Sequence, residues 1–127
     1  QIFGQDYPTP DGTGIRDYLH VMDLAEAHSS TLRHLLGQPA PTHLTLNIGT
    51  GRGLSVLEVV NGFEAATSLT IPRRMVERRP GDVPRLEACP RKAAEVLGWK
   101  ASRTLEDMCR DGWAWQLANP MGYRSGS

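Results

Sequence analysis

The chain has 127 residues, enough for one ordinary domain with a core but short for a complete dinucleotide-dependent enzyme. Its 14 basic and 14 acidic residues cancel, which removes any general pull toward nucleic acid or anionic membrane and makes any anion site a local one. Cys89 and Cys109 are too few for a disulfide framework and lack metal-ligand spacing. With no apolar run near the roughly 20 residues that span a bilayer and no leader segment, a cytoplasmic protein with free thiols and no metal is expected.

Residues 1–22 are expected to form two short extended pieces joined by a turn that Pro8 and Pro10 keep stiff, with Asp11-Gly12-Thr13-Gly14 supplying turn chemistry. From Ile15 to Val21 the chain alternates. Ile15, Asp17, Leu19 and Val21 share one face, and Arg16, Tyr18 and His20 the other. A permanently charged, forked donor two residues from a phenol describes a wall that grips phosphate or carboxylate, and equally the solvated face of an edge strand. Asp23 is placed as the cap of a helix running to about Leu36, with Leu24, Ala27, His28, Leu32, Leu35 and Leu36 near helical spacing and Gly37 as the stop. His28 and His34 have no ligand partners at metal spacing and read as surface residues.

Leu44-Thr45-Leu46-Asn47-Ile48 is predicted to be a strand. The Gly49-Thr50-Gly51-Arg52-Gly53 loop after it superficially matches a dinucleotide fingerprint. Its spacing is Gly-x-Gly-x-Gly, however, and no acidic residue follows about 20 positions on at the end of a second strand. The better local account is a tight loop feeding a helix capped by the Ser55-x-x-Glu58 box and running to about Thr67, burying Val56, Val59, Val60 and Phe63. Leu69–Ile71 and Met75–Arg78 read as short strands interrupted at Pro72. Arg79 and Asp82 are expected on opposite sides of the Pro80-Gly81 turn. Pro90 opens a short helix closed by Gly98, and Trp99 plugs it. Thr104 and Asp107 cap a last helix that Asn119-Pro120 ends. On it Trp113 and Trp115 cannot share a face, and Gly112, costing roughly 1 kcal/mol relative to Ala, would be explained by a close helix contact.

The run Ile2-Phe3-Gly4-Gln5-Asp6-Tyr7-Pro8-Thr9-Pro10-Asp11-Gly12-Thr13-Gly14-Ile15-Arg16-Asp17-Tyr18-Leu19-His20-Val21-Met22-Asp23-Leu24-Ala25 resembles the matching part of the UDP-glucose 4-epimerase family of extended short-chain dehydrogenases/reductases. The resemblance continues through Asn47-Ile48-Gly49-Thr50-Gly51, Arg78-Arg79-Pro80-Gly81-Asp82, Leu97-Gly98-Trp99, Trp113-Ala114-Trp115-Gln116 and Asn119-Pro120-Met121-Gly122-Tyr123. It implies a small mixed α/β substrate-binding lobe over residues 1–123, the Rossmann domain absent, with 124–127 a flexible or appended tail. It also implies a UDP-hexose site. Arg16 and Arg79 would neutralise the diphosphate, Asp82 would accept from the ribose, Phe3 would pack against the base, and Tyr18 would add a polar contact. Val56 would be a minor contact.

The same resemblance implies NAD held by the missing amino-terminal domain, a homodimer for the full-length protein, and chemistry at C4 of the hexose that this chain lacks groups to perform. Tyr7, Tyr18 and Tyr123 have no Lys four residues later, so no catalytic residue is assigned and the chain is expected to be inactive alone. Gln1 in place of Met and a strand already under way at Ile2 fit a piece of a longer chain. The family's usual Ala-Asp is Ala88-Cys89 here, weakening the cap of the next helix by about 1 kcal/mol. Leu86 falls near the position that tunes room around the sugar. Two alternatives stand beside this reading: another nucleotide-sugar epimerase or dehydratase, and a non-catalytic nucleotide-binding or interaction module.

Overall fold

The computed structural model describes residues 1–123; the expected tail at 124–127 lies outside the described residues. Among the described residues, two small sheets and four helices form a mixed α/β lobe. β1 (Ile2–Phe3) pairs in parallel with β4 (Met75–Val76). β2 (Ile15–Arg16) is the centre of the second sheet, antiparallel to β3 (Leu54–Ser55) and parallel to β5 (Arg85–Leu86), so Arg16 lies between Leu54 and Leu86. The extended segment predicted from Ile15 to Val21 keeps strand pairing only at its first two residues. The Asp17 N–H still reaches the Leu86 carbonyl at 3.2 Å, and beyond it the chain turns into a helix.

That helix, α1 (Val21–Leu36), is capped by His20, not Asp23. The His20 Nδ1 accepts from the Met22 N–H at 3.0 Å. Asp23 is instead fully buried within the first turn. Its carboxylate takes the N–H groups of Ser102 and Arg103 at 3.1 and 3.0 Å together with the Arg103 guanidinium, and its carbonyl accepts from the Trp99 indole at 3.1 Å. Burial pushes the Asp23 carboxyl up, but the hydrogen bonds from Arg103 and Ser102 outweigh it and hold the group below its ordinary range. Trp99 is the expected plug, packed with Ala27 and Ala93 in a core that Leu19, Leu46, Ile48 and Leu97 cover. Most of the α1 apolar stripe lies open, with Val21 and Leu36 70% and 78% exposed.

Two predicted strands do not form. Leu44–Ile48 has no strand alongside it and is held by its side chains, Leu46 and Ile48 lying on the Trp99 core while Lys92 Nζ bonds the Thr45 carbonyl at 3.1 Å. At Leu69–Ile71 the Ile71 N–H is taken by the Glu64 carboxylate at 2.8 Å and Pro72 has none to give, so no ladder can start.

The two capping boxes behave as expected. Ser55 and Glu58 exchange hydrogen bonds at the head of α2 (Val56–Thr67), as do Thr104 and Asp107 at the head of α4 (Leu105–Ala118). Ser55 also bonds the Asp11 carboxylate, fastening the first turn to α2. Between them α3 (Arg91–Leu97) starts at Pro90 with no side-chain cap and ends at Gly98. α2 and α4 pack through Phe63 and Trp113, edge to face at 5.9 Å, while Trp115 is half exposed. Val56, Val59, Val60 and Phe63 are only half-buried.

The close helix contact expected at Gly112 is absent among the described residues: a Cβ there would meet none of their atoms within 4 Å. It occurs instead at Gly62, where a Cβ would sit 2.6 Å from the Leu105 Cδ2. Gly112→Ala is therefore expected to raise stability by about 1 kcal/mol, as helix propensity without a steric penalty requires. Urea denaturation of the two proteins measures it, and a loss of stability would mean that α4 has a neighbour at that face.

Candidate functional site

Phe3, Arg16, Tyr18, Arg79 and Asp82 line one cavity of about 300 Å³, together with Tyr7 and Val56. β1 brings Phe3, β2 delivers Arg16 and, two residues on, Tyr18, and the turn between β4 and β5 presents Arg79 and Asp82. Gly81, at φ +83°, makes that turn possible, and the Asp82 N–H closes it on the Arg79 carbonyl at 3.2 Å. Arg79 and Asp82 flank the turn and pair across it, Nε to Oδ2 at 3.1 Å. The other carboxylate oxygen of Asp82 lies 3.4 Å from Arg16 Nη2. One carboxylate thus links two arginines 63 positions apart in the chain.

Arg16 is fixed independently of that pair. Its Nη1 donates to the carbonyls of Ile15 at 2.8 Å and Val83 at 2.9 Å, which leaves Nη2 toward the cavity side occupied by Asp82. The Arg79 guanidinium lies 4.7 Å above the centre of the Phe3 ring. Burial pushes the Tyr18 phenol up against the opposing pull of the Arg16 charge, so Tyr18 is a protonated donor at neutral pH. A second cavity, of about 360 Å³, meets the first at Arg16 and is lined by Asp17, Asn47, Ile48, Leu86 and Ala88.

Several contributors were not legible as such in the sequence. Tyr7 is buried, its ring covered by Arg78 at 4.2 Å, and its hydroxyl is the one buried side-chain polar atom without a hydrogen-bond partner among the described residues. Asp17 shapes the wall. Its carboxylate accepts the N–H groups of Thr50, Gly51 and Ala88 at 3.0, 2.9 and 3.2 Å and the Thr50 hydroxyl at 2.5 Å. A Cβ at Gly49 would fall 2.6 Å from Asp17 Oδ2 and 2.5 Å from the Ala88 Cβ, so the glycine there serves close approach. The clue was an acid on the otherwise apolar face of Ile15, Leu19 and Val21. The glycine loop is accordingly not an anion cradle, because its Thr50 and Gly51 amides are already given to an internal carboxylate.

Comparison with known proteins identifies the setting of this cavity. The chain belongs to the family described as GDP-mannose 4,6 dehydratase, whose model matches residues 2–112. Within it, the chain is similar to UDP-glucose 4-epimerases: it is 50% identical to that of Bacillus subtilis (strain 168) over 124 residues, 98% of this chain and 36% of that protein. The crystal structure of the Stenotrophomonas maltophila UDP-glucose 4-epimerase with bound NAD and formylated UDP-arabinopyranose superposes with a TM-score of 0.89 at 51% identity, covering 94% of this chain and 35% of that one. The Bifidobacterium longum enzyme in complex with NAD+ and UDP gives 0.89 at 45%, covering 97% and 36%. The fold is therefore the small mixed α/β lobe expected, a carboxy-terminal portion, and the chain spans about a third of the length of the curated relatives it matches.

Partial burial pushes the Asp17 carboxyl up, but the hydrogen bonds from Thr50, Gly51 and Ala88 more than offset this and hold it below its ordinary range. A group depressed in the folded state stabilises above its unfolded pKa and loses that contribution as pH falls through the folded one, here below about pH 4. Asp17→Ala is expected to cost about 2 kcal/mol at neutral pH. Thermal melts across the acid range should show the gap to the wild type closing below about pH 4; a gap independent of pH would mean that the carboxylate is not what stabilises.

Proposed function

We propose that this chain is the UDP-hexose-binding part of a UDP-glucose 4-epimerase, which interconverts UDP-glucose and UDP-galactose by NAD-dependent oxidation and reduction at C4. The observation that carries this is the convergence of Phe3, Arg16, Tyr18, Arg79 and Asp82, from three separate segments, on one cavity. Arg16 and Arg79 take the diphosphate through charge-assisted hydrogen bonds, Asp82 the ribose hydroxyls, Phe3 the base, and Tyr18 donates alongside. The sugar end extends past Arg16 into the cavity at Leu86. Binding energy collected on the unreacting UDP then holds the hexose in place for chemistry performed elsewhere.

NAD does not fit this chain's own loops. Gly49–Gly53 has the wrong glycine spacing, and its Thr50 and Gly51 amides bind Asp17, so the cofactor, and the Tyr-x-x-x-Lys pair that the resemblance implies as the base, belong to the remaining two thirds of the enzyme. The open apolar residues of α1, with the groove of about 580 Å³ that Val21, Met22, Met108 and Trp115 line between α1 and α4, supply the surface on which that part docks. A homodimer is proposed for the full-length protein.

Calorimetric titration with UDP and UDP-glucose tests the assignment. The chain should bind both, and Arg16→Ala and Arg79→Ala should each weaken binding by about tenfold or more, the scale of a lost charge-assisted contact. No binding by a folded sample, or arginine variants that bind as well as the parent, would overturn a pre-formed nucleotide site on this lobe.

A further inference from the structure

The groups assigned to three different parts of the ligand are bonded to one another. Asp82 bridges Arg16 and Arg79 at 3.4 and 3.1 Å, and Arg79 covers Phe3 at 4.7 Å. Asp82 therefore stands against both guanidiniums where an entering phosphate would stand. We propose that Asp82 is a selectivity element of the cavity, biasing Arg16 and Arg79 against bare inorganic anions so that a ligand must bring hydroxyl donors together with its diphosphate. This rests on the nucleotide reading above and adds to Asp82 a second role, that of competitor.

The chemistry follows from what each ligand offers the displaced carboxylate. Inorganic pyrophosphate supplies charge for the two arginines but, as an acceptor, nothing for Asp82. It must either lie beside a like charge or push the carboxylate away from both cations. A nucleoside diphosphate brings a ribose diol whose hydroxyls donate, so the carboxylate exchanges its arginines for new partners as the phosphates arrive. The exchange is accessible because the Arg79–Asp82 pair is short-range and solvent-facing, with Arg79 60% exposed. Arg16 meanwhile keeps its orientation through the Ile15 and Val83 carbonyls, so losing Asp82 does not release it. The pairing is a bias on the arginines, not a lock.

Asp82→Asn, titrated with UDP and with inorganic pyrophosphate, separates the two roles by sign. The variant should bind UDP about tenfold more weakly, having lost a charged acceptor, and pyrophosphate at least about threefold more tightly, having lost a like charge beside the arginines. Asp82→Ala, which removes the acceptor altogether, should shift each affinity in the direction that Asp82→Asn does, UDP weaker and pyrophosphate tighter, and its thermal melt reports whether the turn still folds. Weakening toward both ligands, or pyrophosphate affinity that does not rise, overturns the proposal and leaves Asp82 a builder of the turn. Tightening toward both overturns it by removing the ribose partner. If Arg16→Ala in parallel leaves UDP binding unchanged, the nucleotide site itself is refuted and the selectivity role with it.

Discussion

The lobe hangs on a carboxylate that faces inward. Asp17 follows directly on the strand residue Arg16, and its two oxygens collect donors from Thr50, Gly51 and Ala88, segments 33 to 71 positions away. With strands only two residues long, ladder hydrogen bonds cannot set the relative position of β2, the glycine loop and the approach to α3. A charge-assisted cluster does so instead, and it fixes the backbone from which Arg16 and Tyr18 project. Asp11 and Asp23 repeat the device at the two ends of the same stretch, one bonding Ser55 at the head of α2 and the other the Ser102–Arg103 backbone before α4. Three aspartates in 13 residues therefore tie the first segment of the chain to each later layer.

This explains which parts of the fold were legible in the sequence. Helix ends governed by residues three apart could be read directly: Ser55 with Glu58, and Thr104 with Asp107, form the boxes their spacing implies. Elements that depend on a distant partner could not. Leu44–Ile48 has the composition of a strand but no strand beside it, whereas Arg85–Leu86 has little strand character and pairs because β2 lies alongside. Asp23 looked like a cap by residue type. Its burial against Ser102 and Arg103, 79 and 80 positions away, is invisible to any local pattern.

The site divides in the same way. Arg16 and Tyr18 stood out on alternation alone, although that pattern equally fitted a solvated strand face. Phe3, Arg79 and Asp82 entered through the resemblance of their surrounding motifs, and nothing in residue spacing joined them to Arg16. What neither source revealed is the set of contacts the residues make among themselves: the bridge through Asp82, the stacking of Arg79 on Phe3, and the shielding of Tyr7 by Arg78. These arise where β1 and β2 meet β4 and β5.

Those meetings have a kinetic consequence. Both parallel pairings, Ile2 with Met75 and Ile15 with Arg85, close loops of about seventy residues, and the cavity exists only once both are shut. Helices α1 and α2, with their local caps, can form early, but the cavity wall waits on non-local closure, whose entropy must be overcome before any contact there rewards it. The cavity wall is thus among the last parts of the lobe to assemble and the first to be lost when the β4–β5 segment detaches. Anything that binds only the closed cavity would, by mass action, shift the equilibrium against separation of the two ends of that long loop.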